Sequence, residues 1–252
     1  MPSSRLVQAL VVKRRPFGEA DRLVTLFTFN NGLQKVIAKG VRKIPSRRGG
    51  HLEPLTRVTA LLRTVRDQHY LAAVETLDVY PALREEVATQ QHAQLVLNAM
   101  ILLLEEEQSY PHLFKQLEHA WKTWPQIPTA KRYILETTLL STVLHCAGVQ
   151  PNITHCMICG ISQPKEAVIL DGTIGGWRCL SCHPSLYGTR YSISPLVLKA
   201  LRFITMHPER AIRLRLTDDQ AIHSANAMRN YMAAITQRKW PMIQESIHTY
   251  AR

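Results

Sequence analysis

The sequence predicts an α+β protein: an N-terminal five-stranded barrel of the OB type, followed by a mostly α-helical domain with an inserted four-cysteine zinc module. Three observations carry this. Five short β-branched runs crowd the first 80 residues, apolar residues recur at helical spacing after Pro81, and two Cys-x-x-Cys pairs stand 19 residues apart further on. The expected division is an OB-fold domain at residues 1–80 and a helical domain at 81–252, with the zinc module at about 151–190.

The strand runs are Arg5–Arg14, Arg22–Phe29, Leu33–Lys39, Val58–Arg66 and His69–Val79. Asn30-Asn31-Gly32 between the second and third is a hairpin signal, because Asn and Gly tolerate positive φ. Five strands in so short a stretch fit an OB barrel. From Pro81 the period changes, with Leu95, Val96, Ala99, Leu102 and Leu103 marking one face of a helix over Ala82–Glu107. Trp121–Pro128 reads as a proline-broken linker. Ala130–Ala147 is a further long helix with Gly148 as a left-handed cap. Beyond the cysteines, Ser194-Pro195 caps a helix through Met206, and Thr217–Arg238 starts with the acidic first turn a helix dipole favours.

Charge is distributed as unevenly as structure. The net formal charge is +12, yet residues 1–66 alone carry +11, residues 67–150 carry −5 and residues 151–252 carry +6. Such a basic head implies a polyanionic partner. Lys35, Lys39, Arg42, Lys43, Arg47 and Arg48 run from the third strand into a loop, while Lys13, Arg14 and Arg15 flank the first turn. All nine fall near the strand two–three face and the one–two loop where OB barrels hold oligonucleotides. Phe17, beside Arg15, is a candidate for base contact, whereas Phe27 reads as core. Phosphate contacts would make binding sequence-tolerant and salt-sensitive. The acidic middle is better suited to protein partners than to DNA.

Cys156-x-x-Cys159 and Cys179-x-x-Cys182 have the spacing of a tetrahedral zinc site, and four thiolates would leave no open position for an activated water. The expected cofactor is therefore one structural Zn²⁺. Two disulfides, a redox pair or a metal-free site are the alternatives, and His155 and His183 are the neighbouring substitutes as ligands. Cys146 reads as a core residue. His51-Leu52-Glu53 and His207-Pro208-Glu209 match the first half of a zinc-deaminase pattern in form only, since no Pro-Cys-x-x-Cys follows. Phosphate-binding loops, HExxH and nucleophile elbows are missing, so the reading is of a non-enzyme. No apolar run suits a membrane span or secretory signal, which points to the cytoplasm.

Gly18–Leu26 (GEADRLVTL), Gly32, Ile37–Lys43 (IAKGVRK) and Gly50–Leu55 (GHLEPL) together resemble the N-terminal domain of the RecO family. Ala147–Pro151 followed by Cys156-x-x-Cys159-Gly160 looks like that family's helix-to-zinc junction, while residues 85–145 and 190–252 match in general character only. The resemblance implies binding of single- and double-stranded DNA in the nucleoid and annealing of complementary strands. It also implies partnership with RecR and help for RecA in replacing single-strand-binding protein. The competing readings are a zinc-ribbon RNA- or ribosome-binding module and, less favoured by the motifs, a metal-dependent nucleic-acid enzyme.

Overall fold

The computed structural model describes residues 3–42, 47–182 and 192–241. Five strands open the chain: β1 (Ser3–Phe17), β2 (Asp21–Thr28), β3 (Gly32–Ala38), β4 (Arg57–Val65) and β5 (Gln68–Asp78). They close into a barrel in the order β1-β2-β3-β5-β4, antiparallel throughout except for β3 with β5. This is the OB arrangement, and each strand expected from the sequence is found within a few residues of its place. Val11, Val24, Leu26, Val36, Ala38, Val58, Ala60, Leu62 and Leu71 fill the interior.

One irregularity decides what faces out. The pairing of β1 with β2 slips between Val11 and Lys13, a bulge that reverses the in–out alternation along β1. Val11 sits opposite the interior Leu26, but Lys13 pairs with Thr25 and Arg15 with Leu23, so Lys13 and Arg15 point outward. Unbulged alternation from Val11 would have turned both cations into the core.

The helical stretch expected over Ala82–Glu107 is two helices and an extended end. Helix α1 (Pro81–Glu85) stops at Glu86, whose φ and ψ are extended, and α2 (Val87–Leu103) follows. Beyond it the chain joins the barrel: Leu33 and Glu106 form a parallel bridge, and the Glu107 amide donates to the Leu33 carbonyl at 2.9 Å. The physical reason is that β3 and β5 share only two register pairs, which leaves β3 backbone groups beyond them to be satisfied. Glu106 pairs with Lys35, and Glu107 meets His69 Nε2 at 2.8 Å, so the acidic run meets polar side chains of the barrel rather than extending a helix.

The expected linker at Trp121–Pro128 holds in place, since the two compact units divide within it, but not in character. Helix α3 (Pro111–Thr123) runs into a 3-10 turn at Trp124–Gln126, and Trp121 and Trp124 are fully buried. Leu113, Phe114, Leu117, Ala120 and Trp121 form its buried face. Phe114 lies tilted with its ring centroid 5.8 Å from that of Phe27 and edge-on to Phe29, and Arg57 on β4 meets Glu118 at 2.6 Å. Burial of the two indoles outweighs the local helix-breaking effect of Pro125. With α1 and α3 in contact with the barrel side, the chain falls into two compact units that divide between Pro125 and Gln126. The change from strand to helix comes earlier, at Asp78–Pro81.

The second unit is built on α4 (Thr129–Cys146), α5 (Pro195–Met206) and α6 (Asp218–Thr236). Gly148 at φ +70° follows α4, Ser194 accepts from the Val197 amide, and Thr217 with Gln220 forms a capping box, so the signals at these helix ends act as capping chemistry dictates. Glu136 on α4 and Arg229 on α6 are both buried and pair through two 2.7 Å bonds, while a third bond at 2.8 Å runs from Arg229 to the Pro241 carbonyl. A small sheet, ordered β7-β6-β8, comprises β6 (Val168–Asp171), β7 (Gly176–Cys179) and β8 (Ser192–Ile193). Among the described residues, no helix is long and apolar enough to cross a membrane.

Candidate nucleic-acid interface and metal centre

Of the nine basic residues singled out in the head, Lys13, Arg15, Lys35, Lys39 and Arg42 are exposed. Lys13, Thr25 and Lys35 are successive register partners across β1, β2 and β3, so two lysines flank one threonine on the outer face. Arg14 is different. It pairs with the interior Val24 and bonds Glu53 at 2.6 Å, which turns it toward the barrel end and away from the lysine row. Lys43 lies outside the described residues. Arg47 and Arg48 begin a 3-10 turn ending at Leu52, and their side chains are outside the described set too.

The glycine- and arginine-rich motifs of the head are largely a clasp at one end of the barrel. Asp21 Oδ1 accepts the Gly40 amide at 2.7 Å, the Arg42 amide donates to the Ala20 carbonyl at 2.9 Å, and the Arg42 guanidinium reaches the Gly18 carbonyl at 3.3 Å. Arg22 reaches the Gly49 carbonyl at 3.5 Å. Burial first, and then the positive charges of Arg14 and Arg42, lower the Arg22 pKa against an opposing effect of Glu53. This is a concentrated positive field, and Arg22 is a member of it that the run-by-run reading of the sequence misses. Arg63 on β4, exposed and opposite Tyr70, is a separate cation that the same reading passes over. Cross-strand register brings these residues together, and register cannot be read from the composition of a single run.

Of the aromatic candidates, Phe17 is 41% exposed at the end of β1, whereas Phe27 is buried beneath Phe114. Tyr70, which no sequence motif marks, stands half-buried with the Lys39 ammonium 4.9 Å above its ring.

The four cysteines converge in the second unit. Their sulfur atoms all lie within 4.8 Å of one another, with Cys156–Cys182 at 3.9 Å and Cys159–Cys179 at 3.8 Å. Both pairs are far beyond the ~2.05 Å of a disulfide, yet they match the ~3.8 Å edge of a tetrahedron with metal–sulfur bonds of ~2.3 Å. The donor set thus fits a metal ion. Local backbone explains the convergence: the Gly160 amide closes a turn onto the Cys156 carbonyl at 3.0 Å with Gly160 at φ +76°, and the Cys182 amide bonds the Cys179 carbonyl at 3.2 Å. Met157 N–H to the Trp177 carbonyl at 2.9 Å ties the first knuckle to β7.

The thiols are unequal. Burial pushes the Cys156 thiol up, but amide donors from Cys159, Ile158 and Cys179 together outweigh it and bring the thiol down to about 6. Burial and hydrogen bonds to Cys156 and Cys159 push Cys179 up to about 12, and burial followed by the same partners raises Cys182. Four thiolates this close cannot all be ionised without a cation among them. His155 bonds Thr154 Oγ1 at 2.8 Å and is not part of the cluster, and His183 lies outside the described residues. Cys146 is half-buried, and burial raises its thiol, which disfavours nucleophilic use.

One further side chain organises the module. Arg202 on α5 donates to the carbonyls of Ile153 at 2.6 Å, Thr154 at 3.0 Å and Ser162 at 2.6 Å, and its guanidinium lies 5.8 Å over the Trp177 ring. A single cation thereby holds both flanks of the first knuckle. Asp171 and Arg178 form an ion pair across the β6–β7 hairpin, next to Cys179.

An OB-type barrel joined to a helical unit bearing a four-thiol cluster able to hold a metal ion defines a two-part architecture. Two family models match it in chain order: the recombination protein O N-terminal model over residues 3–80 and the recombination protein O C-terminal model over residues 84–232. The chain belongs to the RecO family. A DNA repair protein RecO from Geobacter sulfurreducens is 31% identical over 179 residues, covering 69% of this chain and 71% of that protein. One from Roseiflexus sp. is 27% identical over 235 residues, covering 92% of this chain and 81% of its own length. One from Syntrophotalea carbinolica is 32% identical over 179 residues, covering 69% and 67%.

Proposed function

We propose that this chain is a DNA repair and homologous recombination mediator that works without covalent catalysis. It binds single- and double-stranded DNA through the basic outer face of its barrel, brings complementary strands together, and acts with RecR to help RecA replace single-strand-binding protein. Its cysteines hold one structural Zn²⁺. The family matches separate between residues 80 and 84, which supports 1–80 and 81–252 as the sequence domains, while the compact units divide later, at Pro125; the protein works in the cytoplasm at the nucleoid.

The observation that carries the reading is the row Lys13–Thr25–Lys35 with Arg15 and Lys39 on the same outward face, at the position where OB barrels receive oligonucleotides. Neutralising phosphate on both strands removes the repulsion that keeps complementary single strands apart. Arg42 adds to the exposed cations, and the reading takes Lys43, Arg47 and Arg48 as further DNA contacts. Arg14 and Lys35 have weaker claims than Lys13, Arg15 and Lys39, since Glu53 and Glu106 pair with them.

The test is annealing of two complementary DNA oligonucleotides, one coated with single-strand-binding protein, by zinc-loaded protein across a salt series without nucleotide. Acceleration that falls with salt is expected. Changing Lys13, Arg15, Lys35 and Lys39 together to Glu should abolish it while the barrel stays folded; undiminished annealing by that variant would remove this face from the mechanism.

A further inference from the structure

Phosphate attraction alone does not separate single strands from duplex, and the outer face of the barrel carries more than charge. Arg15, Leu23, Ile37, Tyr70 and Arg63 are consecutive register partners on β1, β2, β3, β5 and β4. Their interior neighbours Val24, Val36, Leu62 and Leu71 fill the core, so this row faces out. Two exposed arginines end it and no acid interrupts it. Leu23 and Tyr70 are half-buried, and Ile37 between them is only 8% exposed. The other end of the same face is covered, with Phe27 beneath Phe114 and Leu33 bridged to Glu106. Among the described residues no other element is seen over this end, which presents an aromatic ring on an apolar floor, bordered by cations.

We propose that Tyr70 is a stacking platform for an unpaired nucleobase, with Leu23 and Ile37 as its floor and Lys39, Arg15 and Arg63 as partners of the adjoining phosphates. This rests on the functional reading above and deepens it by assigning the open half of the face to single strands. A base in a strand without a partner has a free π-face, whereas a base in duplex is already stacked above and below and offers nothing to the ring. Lys39 lies 4.9 Å from the ring centroid in the free protein. Its exposed, flexible ammonium can move to a phosphate when a base takes that place.

The experiment measures affinity of the full chain for a thymidine oligonucleotide, for an abasic strand of equal length and for a duplex. Wild type should bind the base-bearing strand about tenfold more tightly than the abasic one. Tyr70→Leu, which keeps apolar contact with Ile37, should lose that tenfold on the thymidine strand only, with its salt slope unchanged; Tyr70→Phe should retain it. Lys39→Ala should instead lower the slope by about 0.7. If wild type does not distinguish the two single strands, or Tyr70→Leu weakens all three ligands equally, the stacking role is wrong even though DNA binding stands. If wild type binds no DNA at all, the functional reading itself fails. The wild-type comparison needs no variant, so a misfolded substitution does not rescue the proposal.

Discussion

Arg202 shows how much one side chain can organise. Its three carbonyl partners belong to Ile153, Thr154 and Ser162, on either side of the knuckle that carries Cys156 and Cys159. Burial lowers its pKa, but a guanidinium remains charged at any physiological pH, so its hydrogen bonds are charge-assisted. Arg202→Ala leaves those carbonyls seeking water and should destabilise the second unit by about 1–3 kcal/mol. It should also speed metal transfer to a chelator. Arg202→Lys should recover only part of this, because an ammonium cannot reproduce the planar fork. Thermal unfolding and chelator-trapping rates would check both, and equal rates in wild type and Arg202→Ala would show that the cysteine turns hold the metal unaided.

The connections between elements are as demanding as their cores. Gly32 opens β3 at φ +55°, and a Cβ there would lie 1.8 Å from the Gln108 carbonyl oxygen. Backbone meets backbone, so no side chain can give way. Gly32→Ala should therefore destabilise the first unit by about 2–4 kcal/mol, through left-handed strain together with displacement of the segment after α2. Urea unfolding would measure it, and a change under about 0.5 kcal/mol would mean that the segment simply moves aside. The Asn30-Asn31-Gly32 turn is visible in the sequence as a hairpin signal, but the approach of residue 108 is not, because it joins positions far apart in the chain. The same divide recurs elsewhere. Strand runs, the Ser194 and Thr217 caps and the cysteine spacing depend on neighbours a few residues apart and are legible. The bulge after Val11, the row from Arg15 to Arg63 and the reach of Arg202 depend on register or tertiary packing and are not. Helix α3 is an intermediate case. Leu113, Phe114, Leu117, Ala120, Trp121 and Trp124 recur at helical intervals, but Trp-Pro within the run reads as a break, where the structure has a 3-10 turn that keeps both indoles in the core.

On the scale of the whole molecule, the barrel and the cysteine cluster belong to different compact units, and this predicts separable responses to metal loss. Chelation should lower the melting temperature of the second unit while the strand signal of the barrel persists; loss of both together in circular dichroism would contradict it. Acid should act in the same direction as chelation. Cys179 and Cys182 have thiol pKa values raised above the ordinary value, so the metal must displace their protons on binding, and apparent affinity should fall as pH falls. Proton release on zinc addition to the metal-free protein would measure this, and binding without release would argue against thiolate ligation.

The half-covered barrel face also bears on time. From Arg15 across Leu23 and Ile37 to Tyr70 there are three strand-to-strand steps, about 14 Å at ~4.8 Å each, which leaves room for only a few nucleotides of an unpaired strand. That is the short end of what OB folds hold. On the proposed reading, such a foothold has a brief dwell time. A strand so lightly gripped is released soon after it finds its complement, and the protein leaves the product instead of becoming its next obstacle.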